Sequence, residues 1–138
     1  MTVNPYLLFQ GNCREAFEYY AKLTGGNIEA MLANSQAPEG MPVAPGQENQ
    51  IMHARMSMGD SILMASDCPP EYQKEPQGFS VSLTVDTVPE AKRIFDGLAD
   101  GGSVGMPFEE TFWAAGFGMV VDRFGIPWMV SGAPKEVG

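Results

Sequence analysis

Polar side chains at alternate positions in the segment 51–58 are the chain's best candidates for chemistry. Ile51, His53, Arg55 and Ser57 alternate with methionine and alanine, and this period of two predicts one face of a β-strand. A neutral imidazole can donate or accept a proton near neutral pH, and a guanidinium can hold a carboxylate or phosphate through two parallel hydrogen bonds. We therefore predict that His53, Arg55 and Ser57 contact a ligand, with His53 as the candidate catalytic residue.

Each of these residues also has a structural interpretation. His53 is consistent with a hydrogen-bonded histidine at a strand or subunit contact, and Arg55 with a salt bridge to Asp67 or Glu29. Asp67, which follows the predicted strand 62–66, either accepts from a ligand or anchors the segment after it. Because His53 is the only histidine, one chain cannot form a metal site with two histidines.

A second group of candidates lies in the latter half of the chain. Ser80 and Ser82 alternate with apolar residues in the predicted strand 79–85, so they offer polar contacts to a ligand or form a solvated face. A serine without a neighbouring base and oxyanion donors is not a nucleophile. Trp113 and Trp128 are predicted to line a ligand pocket, and the alternative for both is a core or a dimer interface.

Composition argues against several classes of protein. The formal net charge of −9 argues against nucleic acid binding, and no apolar run reaches the roughly 20 residues that cross a bilayer. The first residues lack a basic region and an apolar signal core, so we expect a cytoplasmic protein. Cys13 and Cys68 form no metal-binding spacing, and we expect reduced thiols, with Cys13 as a surface or packing thiol at a helix start.

Two helical patterns must position these candidates. The second pattern repeats the first 75 residues further along the chain, so that Ala91 corresponds to Ala16. Each begins with a capping-box pattern, and each ends at a glycine pair, 25–26 and 101–102, which predicts left-handed backbone. The capping-box pairs are Asn12 with Glu15 and Thr87 with Glu90.

Strand patterns flank both helices. We predict a single domain, residues 1–138, of two βαβββ modules at 4–66 and 79–132, joined by a Pro-rich linker at 67–78. A Pro- and Gly-rich loop is predicted at 34–49, and turns at 59–60 and 122–125. The predicted strands are 5–9, 28–32, 51–58 and 62–66 in the first module and 79–85, 104–108, 117–121 and 126–130 in the second.

Several short motifs carry a family resemblance. They are Pro5-Tyr-Leu-Leu-Phe9, Glu15-Ala16, His53-Ala54, Gly59-Asp60 through Asp67, Phe112-Trp113, Phe117-Gly118 and Asp122-Arg-Phe-Gly-Ile-Pro-Trp128. On these motifs the chain resembles the vicinal oxygen chelate superfamily, which has the glyoxalase and bleomycin-resistance fold, and more narrowly its PhnB-like branch. The resemblance implies an α+β fold in which two βαβββ modules form a curved mixed sheet around a cavity. It also implies a homodimer, since this superfamily commonly completes its cavities by pairing subunits or swapping modules.

The resemblance also implies a metal site, which this sequence does not match. Members of the superfamily often hold a divalent metal with His and Glu or Asp on four strands, which correspond here to 5–8, 63–66, 79–82 and 128–130. None of these segments contains His, Asp or Glu, so we predict no metal and no other cofactor. Some sequences of the branch are labelled demethylubiquinone methyltransferases, but this chain lacks a Gly-rich strand-to-helix loop that could cradle a nucleoside cofactor.

Two functions fit these observations. The first is binding of a small molecule in the cavity without a metal, by a homodimer that does not associate with nucleic acid or membrane. The alternative is an enzyme of lyase, isomerase or dioxygenase type acting on a small oxygenated metabolite. That enzyme would work either through His53 or with a metal borrowed across the dimer.

Overall fold

The chain is organised as two compact units with the same order of elements. The computed structural model describes residues 1–38, 43, 45–69, 71 and 73–136. The units comprise Met1–Lys74 and Glu75–Gly138, and we call them the first and the second module.

The first module is a βαβββ unit with a mixed four-stranded sheet. Its sheet order is β1-β4-β3-β2, in which β1 runs parallel to β4 and the other neighbours are antiparallel. A 3-10 helix at Asn34–Gln36 follows β2. The elements are β1 (Tyr6–Phe9), α1 (Cys13–Thr24), β2 (Asn27–Ala33), β3 (Ile51–Met58) and β4 (Ser61–Asp67).

The second module repeats this topology, with sheet order β5-β8-β7-β6 and β5 parallel to β8. The predicted α+β fold of two βαβββ modules is therefore confirmed. One strand boundary affects a candidate residue, because β5 begins at Val81 and leaves Ser80 before the strand. The elements are β5 (Val81–Val85), α2 (Val88–Ala99), β6 (Ser103–Glu109), β7 (Ala114–Val121) and β8 (Pro127–Pro134).

Each helix covers one face of its own module's sheet. Alternate strand residues on that face are buried, as Leu7 and Phe9 are in β1 and Trp128 and Val130 are in β8. We call the opposite sheet face of each module its open face. The helix residues that are buried are Cys13, Ala16, Phe17 and Tyr20 in α1 and Ala91, Ile94, Phe95 and Leu98 in α2.

The two helices begin differently, and neither forms the reciprocal capping box that was predicted. At α2 the N-cap half is present, while the Glu90 carboxylate pairs with Arg93. The Thr87 hydroxyl accepts from the backbone N–H of Glu90 at 3.4 Å, as predicted. Asn12 makes no side-chain cap, and its buried Oδ1 has no hydrogen-bond partner among the described residues. A carboxylate from β4, Asp67, takes that place and is described with the site below.

Only the first glycine of each predicted left-handed pair has that conformation. Gly25 has φ 76° and Gly101 has φ 77°. The second glycines permit close backbone approach instead, since a Cβ at Gly26 would lie 2.9 Å from the Ser57 carbonyl oxygen and one at Gly102 would lie 2.3 Å from that of Val121.

The connecting segments are only partly described. Residues 39–42 and 44 of the predicted loop 34–49, and residues 70 and 72 of the predicted linker 67–78, lie outside the described residues. The linker prediction began one residue early, because Asp67 belongs to β4. Among the described residues, no helix has the length and apolar character needed to span a membrane.

Candidate functional site

His53, Arg55 and Ser57 lie together on the open face of the first module. Ala54 and Met56, which alternate with them along β3, are fully buried on the helix-facing side. Arg55 is exposed, and His53 and Ser57 are half-buried. These three side chains are therefore accessible from one side of the sheet.

Aromatic and apolar side chains from β1 border this polar group. The Tyr6 ring centroid lies 6.1 Å from that of His53, and Tyr6 is 45% exposed. The sheet register aligns Tyr6 with Met64 and Met64 with Arg55, so these three residues form a row across the open face. Sequence analysis missed Tyr6 as a site residue. The period of two in β1 could have predicted this position, since Tyr6 and Leu8 are exposed on either side of buried Leu7 and so lie on the open face.

Arg55 forms the salt bridge that was one of its predicted alternatives. Its Nε lies 2.9 Å from Glu29 Oε1, and the two side chains are 44% and 39% exposed. Such an exposed pair contributes only about 0–1 kcal/mol to stability. The terminal nitrogens Nη1 and Nη2 make no hydrogen bond to any described residue, so they can still bind an anion while Nε holds Glu29.

Asp67 anchors the first module's backbone. Its Oδ1 accepts from the N–H groups of Gly11 and Cys13, both at 3.0 Å, at the start of α1. Its Oδ2 accepts from the N–H of Ile51 at 2.8 Å, at the start of β3. One carboxylate thus joins the β1–α1 turn to the strand that carries His53. Its role is structural, as one alternative predicted, but these bonds hold the helix start and β3 and not the segment after Asp67.

The start of β3 departs from the alternation that the sequence predicts. Ile51 and Ala54 are both buried, although Ile51 was predicted to share a face with His53. The pairing with β2 shifts here, since Leu32 lies opposite His53 and Ala33 opposite Ile51. One residue of β3, Met52, is therefore skipped. A β-bulge of this kind turns the strand, and the Asp67 carboxylate accepts from the N–H of Ile51, the residue before the skipped one.

The candidate residues of the second module differ in their exposure and do not all lie on one surface. Ser82 lies in β5 opposite Met129, and Ser80 precedes the strand. Trp128 is 1% exposed, and its indole Nε1 donates to Asp122 at 2.9 Å. Trp113 stacks edge-on between Phe112 and Phe117, with ring centroids 4.8 and 5.1 Å away. The position of Trp128 favours its core alternative, whereas Ser82 and Trp113 remain accessible.

Asp122 organises the turn between β7 and β8. Its Oδ1 accepts from the N–H groups of Phe124 and Ile126, both at 2.9 Å, and its Oδ2 accepts from Trp128. Asp122 is only 4% exposed. The motif 122–128 is therefore a structural unit in which a carboxylate satisfies a tight turn and fixes a buried tryptophan.

Cys13 is a packing thiol. It is fully buried, and burial raises its pKa to about 12, with the negative charge of Asp67 acting in the same direction and Arg14 opposing both. The thiolate that a nucleophile or metal ligand requires is therefore disfavoured at neutral pH.

The residues present do not fit the divalent metal that the superfamily implies. Among the described residues, no group of three or more His, Cys, Asp or Glu side chains converges in a way that could hold a metal ion. The four strands that correspond to the superfamily's ligand positions carry none of His, Asp or Glu.

Comparison with known proteins agrees with this fold. Residues 1–131 match the model of the family described as 3-demethylubiquinone-9 3-methyltransferase. The chain belongs to this family. Within it, protein YjdN from Escherichia coli K12 is 37% identical over 142 residues, which cover 95% of each chain.

Solved structures extend the family assignment to the superfamily fold. This chain resembles protein PA1353 from Pseudomonas aeruginosa, with 50% identity and a TM-score of 0.88. The match covers 96% of this chain and 97% of PA1353. The chain also resembles the PhnB protein from Bacillus cereus, with 24% identity, a TM-score of 0.78, and 96% and 100% covered. A glyoxylase/bleomycin resistance protein/dioxygenase domain from Frankia shares the fold, with 12% identity, a TM-score of 0.65, and 100% and 95% covered. The chain thus has the vicinal oxygen chelate fold, which it shares with the PhnB protein.

Proposed function

We propose that this PhnB-like protein binds a small, anionic, oxygen-rich molecule on the open face of its first module, without a metal or other cofactor. The observation that carries the proposal is the side-chain set on that face: an imidazole, a guanidinium and a hydroxyl on β3 beside the exposed ring of Tyr6.

The electrostatics of the face favour an anion over a cation. Arg55 holds Glu29 through Nε and keeps Nη1 and Nη2 for a carboxylate or phosphate group. In its protonated form, His53 would add a second positive charge, and in its neutral form it can donate one hydrogen bond. A ligand that pairs with Arg55 would therefore also find a donor at His53. The Ser57 hydroxyl donates to the Asn27 carbonyl oxygen at 3.5 Å and would have to turn from it to donate to the ligand.

The apolar border suits the remainder of such a ligand. Tyr6 and Leu8 are exposed at one edge of the face, and Leu32 is exposed at the other. Ligand sites combine this kind of apolar lining with a few polar groups that fix orientation. For the second module, Ser82 and Trp113 are proposed as contacts of a ligand on that module's own open face, and Ser80 as a weaker candidate because it precedes β5. Trp128 lies in the core, so its predicted ligand contact is not proposed again.

The rest of the proposal has two sources. The superfamily resemblance supports a homodimer, and the net charge of −9, the absence of a long apolar run and the two unpaired cysteines support a cytoplasmic protein with no nucleic acid or membrane partner. The alternative function is an enzyme on a small oxygenated metabolite, in which His53 acts as acid or base. It draws support from the half-buried imidazole next to Tyr6. The methyl transfer named in the family description would need a nucleoside cofactor, for which the sequence offers no Gly-rich loop.

The single histidine allows a direct test. The ¹H–¹³C signal of the His53 ring can be followed by NMR while the full-length chain is titrated with inorganic phosphate at constant pH. Sodium chloride at matched ionic strength controls for screening. We expect a saturable shift with phosphate only. In Arg55→Gln the affinity should fall by about 10- to 100-fold, because a charge-assisted hydrogen bond contributes about 1.5–3 kcal/mol.

A matched variant distinguishes site binding from general charge. Arg93→Gln removes an exposed arginine that is also paired with a carboxylate, Glu90, but lies on α2. This variant should bind phosphate as the wild type does. Equal losses in both variants, or no saturable shift in the wild type, would contradict the proposal. Native mass spectrometry of the purified protein would report the dimer and any small co-purified molecule.

A further inference from the structure

Three methionines form a row across the open face of the second module. The sheet register places Met106 of β6 opposite Met119 of β7, and Met119 opposite Met129 of β8. Residues directly opposite each other share a face, with Cβ atoms about 4.5–5.5 Å apart. The row therefore consists of three neighbouring thioethers on adjacent strands.

The row lies on the face away from α2. Gly118 and Val120, on either side of Met119, point toward the helix, since a Cβ at Gly118 would meet the Phe95 ring at 2.6 Å and Val120 is buried. Met106 is 39% exposed, and Met119 and Met129 are half-buried. All three side chains thus remain partly accessible instead of being used up in the helix-facing core.

Thioether chemistry defines what such a row can hold. Neutral sulfur ligands are soft and select Cu(I) over hard divalent ions. Methionine is unbranched and has three rotatable bonds, so the outer two sulfur atoms can lean toward a point above Met119. We propose that Met106, Met119 and Met129 form a binding site for a soft monovalent cation of the Cu(I) or Ag(I) class.

The residues around the row offer no competing soft ligand. Ser82 continues the row on β5, opposite Met129. The nearest charged residue that the register places on this face is Glu109, opposite Phe117 in the next row, and a carboxylate is a hard ligand. Both cysteines are buried in the first module, so neither thiol belongs to this surface. The three methionines share no residue with the anion site proposed on the first module.

Ag(I) is a redox-inert probe for this site. The full-length chain, labelled with ¹³C at the methionine methyl groups, is titrated with Ag(I) and observed by NMR. The signals of Met106, Met119 and Met129, assigned from single Met→Leu variants, should shift together and saturate at one equivalent. Met119→Leu keeps the volume but removes the central sulfur. Loss of even an indirect metal contact costs about 10- to 100-fold in affinity, so we expect at least a tenfold loss here.

The control and the pH dependence separate thioethers from thiols. Met58→Leu, at the end of β3 in the other module, should leave the Ag(I) affinity unchanged. Thioethers carry no dissociable proton, so the affinity should be flat between pH 5.5 and pH 8, whereas binding by cysteine or histidine strengthens as pH rises. Shifts confined to other methionines, unchanged affinity in Met119→Leu, or affinity that rises with pH would each overturn the proposal.

Discussion

The two modules share one topology but satisfy the starts of their helices with different residues. Opposite the last residue of the module's first strand stands Asp67 in the first module and Gly132 in the second. Asp67 accepts from two N–H groups at the start of α1. At Gly132 there is no room for any side chain, because a Cβ there would lie 2.6 Å from the Ala91 Cβ and 2.8 Å from the Thr87 carbonyl oxygen.

This difference shows that one structural role can move between a local and a distant residue. In the second module, Thr87 caps α2 itself, and the helix packs directly on β8. In the first, the cap comes from a strand 54 positions further along the chain and also holds the start of β3. The helix start and the candidate site of the first module are therefore joined through one side chain, whereas those of the second are not.

Removal of the Asp67 carboxylate should have the largest effect. Asp67→Ala leaves three backbone N–H groups without their acceptor, and we expect a loss of about 3 kcal/mol in the free energy of unfolding. Urea denaturation measures the loss, and hydrogen exchange should show that the amides of Gly11, Cys13 and Ile51 lose protection. Asp96→Ala, on the exposed side of α2, is the control and should change stability by less than about 0.5 kcal/mol. A similar loss of unfolding free energy in both variants would mean that the three hydrogen bonds of Asp67 add no stability beyond that of a surface carboxylate.

Crowding at Gly132 should have the next largest effect. Gly132→Ala forces a methyl group against Ala91 and the backbone of Thr87, and overpacking of this kind costs about 1–3 kcal/mol. Gly105→Ala, in β6, is the matched control, because its Cβ would come no closer than 3.8 Å to any neighbour. Thermal unfolding of the two variants should therefore differ clearly. Equal midpoints would mean that α2 can shift away from β8 at little cost.

Local patterns explain why so much of the fold was predictable. The strand 51–58 was predicted with the bounds observed for β3, since period-two alternation is a local property. Placement of His53, Arg55 and Ser57 on one face followed from the same alternation. The burial of Ile51 at the start of that strand was not predictable, because the bulge at Met52 lies in the pairing with β2 and the Ile51 N–H donates to the distant Asp67 carboxylate.

Roles that depend on distant partners explain the errors. Asn12 with Glu15 matches a capping box as well as Thr87 with Glu90 does, and only the fold brings Asp67 to the first helix. Asp122 is different, because its partners lie two, four and six residues away. The turn 122–125 was predicted, and an aspartate at the start of a tight turn is a local signal for the role of its carboxylate, which was not predicted.

The two predicted caps can be compared directly, with a smaller expected effect. Thr87→Ala removes a side-chain acceptor at a helix start and should cost about 1 kcal/mol. Asn12→Ala removes a side chain that makes no cap and has a buried oxygen without a partner among the described residues, so stability should stay within about 0.5 kcal/mol of wild type or rise. Chemical denaturation measures both. Equal losses of stability in the two variants would mean that the Asn12 side chain does cap α1, and would contradict the prediction.

The smallest effect is a pH dependence that belongs to the first module alone. The first residue of α1 is Cys13 and that of α2 is Val88, so only α1 begins with a group that titrates. Burial, followed by the charge of Asp67, raises the Cys13 pKa from its ordinary value of 9.0 to about 12, against a smaller opposing effect of Arg14.

The sign follows from which state keeps the proton. Above pH 9 the unfolded thiol ionises while the folded thiol does not, so stability is complete below pH 9 and falls as pH rises toward 12. Between pH 8 and pH 9.5 the loss should stay below about 1 kcal/mol. Other groups titrate in this range, so urea denaturation of wild type is compared with Cys13→Ala and Cys13→Ser. Both variants should lose the same part of the pH dependence although they pack differently. An identical slope in all three proteins would mean that the Cys13 thiol ionises as easily in the folded state as in the unfolded one.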